Sequence, residues 1–114
     1  MSDRLFKVLH ADGRACHGGT GTWHLPTPAE DGTWTPGEWM PRLRGEIEPC
    51  SHGYHLCRPQ DLLGWLTSDA FTVYEAEAHP RYRLIVAGDK VVTRQARLLR
   101  RLTWDARAAR LFTC

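Results

Sequence analysis

The sequence predicts an α+β fold, a small domain of mostly antiparallel sheet with two short helices and a loop rich in proline and tryptophan. Residues 70–78 (AFTVYEAEA) alternate between apolar and polar side chains, as a half-buried strand does. The turn pair Asp12-Gly13 is typical of a hairpin between antiparallel strands. Pro59 precedes an apolar stripe at helical spacing, which indicates a helix.

Length and composition predict one domain over 1–114. The chain of 114 residues is 42% hydrophobic and 25% charged, as ordinary globular proteins are. No apolar run approaches the roughly 20 residues that a membrane-spanning helix needs. The N-terminus, MSDRLFKVLH, is too polar for a signal peptide. We therefore expect a cytoplasmic protein that does not contact a membrane and whose cysteines are reduced.

The first half of the chain predicts two strands and a long irregular insert. Residues 4–11 form the first strand, and residues 22–25 (TWHL) return from the turn. The Pro/Trp-rich insert at 26–49 carries five prolines, which leave no room for a long regular element. Because large rings are costly to leave in water, we expect Trp34 and Trp39 to bring this insert over the core. The alternative is that they form a recognition surface.

The second half predicts the two helices and three strands. The first helix begins at Pro59 and buries an apolar stripe formed by Leu62, Leu63, Trp65 and Leu66. Strands follow at 70–78 and 81–88, and Gly88-Asp89 marks a turn. In the basic C-terminal segment 81–114, we expect a strand near 95–102 and a helix over 104–112.

Charge is distributed unequally along the chain. Residues 1–80 contain 6 Lys/Arg against 11 Asp/Glu, whereas residues 81–114 contain 9 against 2. Such a split indicates either a surface for an anionic partner or two surfaces that neutralise each other in the fold. The candidate partner-binding residues are Trp34, Trp39, Arg94, Arg97, Arg100 and Arg101. Arginine with tryptophan favours a protein partner, and a nucleic acid is the alternative partner.

Residues 50–57, CSHGYHLC, hold the densest group of metal-ligand side chains. In an extended segment His55 and Cys57 project from one face. Gly53 permits a bend that brings Cys50 or His52 toward them, and Cys16 can supply a fourth donor. Thiolate and imidazole are the ligands that zinc prefers, so the four residues predict either one structural zinc or no cofactor. The alternative is a metal-free core of buried thiols and a hydrogen-bonded histidine.

These motifs resemble a family of small uncharacterised domains from bacteriophage and prophage proteins. The resemblance is carried by Cys16-x-Gly18, by C-x-x-G-Y-H-x-C from Cys50 to Cys57, and by Pro59 with its Asp-Leu-Leu sequence. It continues in the Tyr-Glu-x-Glu strand (74–77) and in Leu102-Thr103. It departs at the insert 26–49. The resemblance implies that Cys16, Cys50, His55 and Cys57 belong to one cluster.

Enzyme motifs offer little support for catalysis. The sequence has no P-loop, no dinucleotide-binding glycine motif and no H-E-x-x-H. A Cys–His pair lacks a third group to orient the imidazole, so no catalytic residue is predicted. The order of an N-terminal strand, Gly53-Tyr54-His55 and a Val-Tyr-Glu strand is similar to compact ADP-ribosyltransferase-like domains. That enzyme class is an alternative function.

The hypothesis that we carry forward is a phage-type accessory protein in the cytoplasm of a bacterial host. It acts by binding a host or phage protein, and its Cys/His cluster holds the core. The contacts come from the tryptophans of the insert or from the arginines of the C-terminal segment. A basic nucleic-acid-binding module is the other alternative.

Elemental analysis of the purified, untagged protein tests the cluster. A four-ligand site predicts about one equivalent of tightly bound zinc per chain. Protein that is folded and zinc-free would contradict a metal site and leave the thiol-and-imidazole core.

Overall fold

The computed structural model describes residues 4–10, 12–15, 21–49, 52–61 and 71–102, which form almost only antiparallel sheet. One 3-10 turn, Pro59–Asp61, is the helical element of these residues. The strands are β1 (Leu5–His10), β2 (Thr27–Pro28), β3 (Trp34–Thr35), β4 (Tyr54–Leu56), β5 (Phe71–Ala78), β6 (Ile85–Ala87), β7 (Lys90–Thr93) and β8 (Ala96–Leu102).

The α+β class predicted from the sequence is wrong, because the described part of the chain is 49% strand and 4% helical. The helix predicted from Pro59 is a single turn, and the rest of it lies outside the described residues, as does the helix at 104–112. The turn closes on itself: the Asp61 amide donates to the Arg58 carbonyl at 3.0 Å, and their side chains form an ion pair at 2.9 Å. Among the described residues no helix is long and apolar enough to cross a membrane.

Two three-stranded antiparallel sheets make up the fold. In the first, the strand order is β1-β5-β8, and β5 is central. Val8 lies opposite Val73, and a register shift between Glu75 and Ala76 bends the pairing of β5 with β8. In the second sheet the order is β4-β7-β6, and β6 and β7 form a hairpin. A separate two-stranded ribbon, β2-β3, lies within the insert.

Among the described residues one β-bridge joins the two sheets, the antiparallel bridge between Phe6 of β1 and Cys57 after β4. Each residue's amide donates to the other's carbonyl at 2.8 Å. Beside this bridge, Lys7 Nζ donates to the His55 carbonyl at 2.8 Å. The bridge therefore aligns the strands in the continuous order β8-β5-β1-β4-β7-β6.

Both faces of β1 and β5 are buried. On one face, Leu9 and Tyr74 belong to the main hydrophobic core, whose other members are Leu5, Trp23, Met40, Leu56, Ala76, Val91, Ala96 and Leu98. On the opposite face, Phe6 and Val73 are 0% exposed. Strands buried on both sides read as continuous apolar runs, which is why β1 has little alternation in its sequence.

The insert lies over the core, as predicted. Residues 37–43 run beside β8, and the amides of Gly37, Met40 and Leu43 donate to carbonyls of β8 and the residues before it at 2.8, 2.9 and 3.0 Å. Met40 is buried in the main core. The insert thus covers the outer edge of β8, which would otherwise present unpaired backbone groups.

Other predicted elements are confirmed or shortened. The strands at 4–11, 70–78 and 95–102 appear as β1, β5 and β8. The strand predicted at 81–88 is limited to Ile85–Ala87. Residues 22–25 do not form a strand; Thr22 makes one bridge, to Arg14. Strand β7 is not predicted from the sequence, because Val92, Ala96 and Leu99 lie at helical spacing in the basic segment.

Replacing Gly53 by alanine should destabilise the fold. Gly53 has φ 151°, and an added Cβ would collide with Cγ1 of the fully buried Val92. We expect Gly53→Ala to lower the free energy of unfolding in urea by about 2–4 kcal/mol. Gly45→Ala is the matched control, since Gly45 has φ 83° but open space around it. Its cost should be about 1 kcal/mol, and equal costs for the two variants would contradict the close packing at Gly53.

Candidate functional site

The four residues of the predicted metal cluster are only partly within the described structure. Cys16 and Cys50 lie outside the described residues. His55 lies opposite Val92 in the β4–β7 pair, and Cys57 lies opposite Phe6. Residues two apart in an extended segment share a face, so His55 and Cys57 are on one face, as the sequence predicts. Whether all four side chains converge stays a prediction.

Cys57 is a buried thiol. It is 3% exposed, and its Sγ donates to the Phe6 carbonyl at 3.4 Å. Burial raises the pKa of the Cys57 thiol to about 12, and the negative charges of Asp61 and Asp89 act in the same direction against the opposing charge of Lys7. A protonated thiol without solvent contact is a poor nucleophile. Cys57 therefore acts here as a small core side chain.

His55 is half-buried and favours its neutral form. Burial lowers its pKa, and the positive charges of Lys7 and Lys90 lower it further. Neutral imidazole is the form that ligates zinc, so His55 is chemically suited to the predicted site. Within the described ranges no group of three His, Cys, Asp or Glu side chains could hold a metal ion. The zinc hypothesis consequently depends on Cys16 and Cys50.

The unequal charge of the two halves is partly neutralised across the β5–β8 pair. The Glu75 carboxylate accepts from Arg4 Nε at 2.8 Å and from Arg100 Nε at 2.9 Å. Glu77 pairs with Arg97, whose Nη2 lies 3.0 Å from Oε2. Glu75 and Glu77 share one face of β5, as predicted, and each carboxylate is held by arginine. Neither is arranged as a free general acid or base.

The four candidate arginines of the C-terminal segment differ in their partners. Arg94 Nη1 donates to the Leu43 carbonyl at 2.7 Å, which ties the insert to the end of β7. Arg97 and Arg100 are in the ion pairs with β5. Arg101 pairs with Tyr74 through the strand backbone, but its side chain is exposed and forms no ion pair or hydrogen bond with the described residues. The predicted basic surface is thus mostly committed to contacts within the fold.

A cluster of tilted aromatic rings and one guanidinium lies where three segments of the chain meet. We call Trp39, His79, Tyr82 and Arg97 the aromatic–arginine patch. The Trp39 and His79 ring centroids are 4.7 Å apart, and those of His79 and Tyr82 are 5.4 Å apart. On the other side, Arg97 Cζ lies 4.5 Å from the Trp39 ring centroid, at cation–π distance. All four side chains are half-buried.

Backbone hydrogen bonds fix the three segments of the patch. His79 follows the end of β5, and its amide donates to the Gln95 carbonyl at 2.9 Å. Tyr82 lies on the next turn, where its amide donates to the His79 carbonyl at 3.1 Å. Trp39 precedes Met40, whose amide donates to β8. The rings are therefore held in place before any partner arrives.

The sequence analysis found two of the four patch residues. Trp39 and Arg97 were candidates, but their contact was not predicted, because it depends on the insert lying beside β8. His79 and Tyr82 were missed, since the pairing of rings from three distant segments leaves no spacing signal. Trp34 lies elsewhere: it pairs with Pro28 in the β2–β3 ribbon and makes no ring contact with the patch among the described residues.

Comparison with known proteins identifies no relative. No family model, no curated protein and no solved structure matches the chain. The function proposed below therefore depends on the geometry of this chain and on the resemblance carried by its motifs.

Cys57 should make the stability of the protein fall at high pH. The unfolded thiol ionises near pH 9, whereas the folded thiol keeps its proton up to about pH 12. Below pH 9 the Cys57 thiol keeps its proton in both the folded and the unfolded protein, so it adds no pH dependence to the free energy of unfolding. Above it the unfolded state binds fewer protons, and the free energy of unfolding should decrease by about 1.4 kcal/mol per pH unit.

Comparing the urea unfolding of the wild type and of Cys57→Ala between about pH 8 and 11 isolates this effect. Both proteins share the titration of their tyrosines and lysines, so the difference in slope belongs to Cys57. Parallel slopes would contradict the buried, protonated thiol.

Proposed function

We propose that the chain is a non-enzymatic accessory module of phage type that binds a host or phage protein through the aromatic–arginine patch. The observation that supports this proposal is the position of Arg97. Its guanidinium is held at 3.0 Å by Glu77 and lies over the Trp39 ring at 4.5 Å. Tryptophan, tyrosine and arginine are the residue types enriched among the dominant contacts of protein interfaces.

Rigidity favours binding at this patch. The rings of Trp39 and His79 pack against each other, and Arg97 is fixed from two sides. A side chain that is already ordered loses little conformational entropy when a partner binds. Because these rings are only half-buried in the free protein, they still offer apolar area to a partner.

The ion pairs of the arginines weigh against a nucleic acid as the main partner. Phosphate binding depends on cationic side chains that exchange counterions for phosphates. Arg97 and Arg100 are instead compensated by carboxylates of β5. Arg94 is committed to the Leu43 carbonyl. A protein partner needs no such free charge, because shape and ring contacts supply the affinity.

The described side chains also offer little for the ADP-ribosyltransferase-like alternative. The carboxylates of the Tyr-Glu strand, Glu75 and Glu77, are both paired with arginine. The Cys57 thiol is buried and protonated. We therefore keep the non-enzymatic proposal, and we propose that it acts in the reducing cytoplasm of a bacterial host, where a free thiol such as Cys57 persists.

Substitution in the patch tests the proposal. Trp39→Ala and Tyr82→Ala remove two of its rings, while Leu25→Ala removes a leucine that is 41% exposed and outside the patch. Each protein is immobilised at equal density, and the proteins captured from nuclease-treated bacterial lysate are quantified by mass spectrometry. A specific partner should lose about tenfold or more of its capture with both patch variants and none with Leu25→Ala.

Circular dichroism and thermal unfolding of each variant show whether the fold is kept. Equal capture by the wild type and both folded patch variants would contradict the proposal. Binding of RNA or DNA that weakens steeply with salt, and is indifferent to Trp39→Ala, would favour the nucleic-acid alternative instead.

A further inference from the structure

Strand β6 has an open backbone edge. It pairs with β7 on one side, and the sheet order β4-β7-β6 places it at the end. The two-residue loop Gly88-Asp89 makes Ala87 and Lys90 the closing pair, so Val86 and Val91 form the next, non-hydrogen-bonded pair. The amide and carbonyl of Val86 consequently point away from β7, where no described residue bonds to them.

This edge is also apolar. Val86, in the middle of the strand, is 60% exposed, and the preceding Leu84 is 42% exposed. With Leu25 they are the exposed large hydrophobic residues of the described chain. Natural edge strands are usually protected by an inward charge, a proline or a bulge. The insert covers the edge of β8, whereas no described residue covers the edge of β6, and the central residue of β6, Val86, is neither charged nor a proline.

Cationic residues precede the strand in the sequence. Arg81 and Arg83 are exposed, and their side chains form no ion pair or hydrogen bond with the described residues. Residues 81–90 carry these arginines and Lys90 against one carboxylate, Asp89. This setting differs from that of Arg97 and Arg100, which are neutralised by β5. Positive charge that is left exposed beside an open strand favours an acidic partner.

We propose that β6 accepts an extended, acidic segment of a partner protein as an additional strand. The outward amide and carbonyl of Val86 supply the backbone hydrogen bonds, Val86 and Leu84 supply apolar contacts, and Arg81 and Arg83 select acidic side chains. A second copy of the chain is a poorer occupant, because it would bring the same excess of cations to the edge. This surface shares no side chain with the aromatic–arginine patch, but the two adjoin: Tyr82 lies between Arg81 and Arg83, and the Arg81 amide donates to His79 Nδ1 at 3.2 Å.

Binding of designed peptides to the full chain tests this proposal. The probes are the peptide EVEVEVE, its basic counterpart KVKVKVK, and EVEVEVE with all of its amides methylated, which removes the hydrogen-bond donors of both edges. Isothermal titration at low salt should show binding of EVEVEVE at least about tenfold tighter than binding of either other peptide.

Three variants locate the site. Val86→Pro removes the outward donor without removing a bond to β7, so the hairpin should persist while binding of EVEVEVE falls about tenfold. Arg83→Glu should weaken binding similarly through charge alone, which keeps the test valid if the proline variant unfolds. Arg101→Glu is the matched control, an exposed arginine on β8, and should bind as the wild type does.

Four results would overturn the proposal. One is binding of EVEVEVE that Arg83→Glu leaves unchanged. Another is equal binding of the methylated peptide, which would exclude strand addition. The third is a dimer in sedimentation velocity that Val86→Pro dissociates, because it would make a second copy the occupant. Loss of EVEVEVE binding in Trp39→Ala with none in Val86→Pro would likewise assign the peptide to the patch.

Discussion

The two backbone hydrogen bonds between Phe6 and Cys57 are the constraint on which the rest of the structure depends. They are the bridge through which β1 of one sheet meets the segment after β4 of the other. Both side chains are buried. The Cys57 thiol adds a third hydrogen bond between the two residues, which it donates to the Phe6 carbonyl. In such a dry environment an unpaired amide or carbonyl would be costly, so the pairing fixes how the two sheets meet. The burial that keeps Cys57 protonated is a consequence of this junction.

The positions of the aromatic–arginine patch and of the β6 edge follow from that arrangement. At one end, the insert lies along β8 and brings Trp39 against Arg97 and His79. At the other end, no described residue pairs with the outer edge of β6, where Val86 is exposed. Between them, the ion pairs of β5 with Arg4, Arg97 and Arg100 absorb much of the charge difference between the halves of the chain. The protein thus combines a rigid, charge-compensated patch with an unpaired strand edge, and Arg81 and Arg83 lie in the segment between them.

Local patterns in the sequence were sufficient for the long strands and insufficient for the contacts between distant segments. The alternation in 70–78 predicted β5, and the turn at Gly88-Asp89 was correctly placed. The predicted helix from Pro59 is only one 3-10 turn in the described residues. A proline followed by an aspartate is compatible with a single turn as well as with the start of a helix. The partners of Arg100 and Arg97 depend on a register that includes a bulge, which no local pattern encodes. The aromatic–arginine patch could not be predicted because its rings come from three segments that only the folded sheet brings together.

Hydrogen–deuterium exchange at single-residue resolution tests the central junction most directly. If the Phe6–Cys57 bridge holds the two sheets together, the amides of both residues should exchange only through global unfolding, with the same free energy as the amide of Val73 in the central strand. Exchange of Phe6 and Cys57 through a local opening, at rates near that of the exposed turn residue Gly32, would contradict the account.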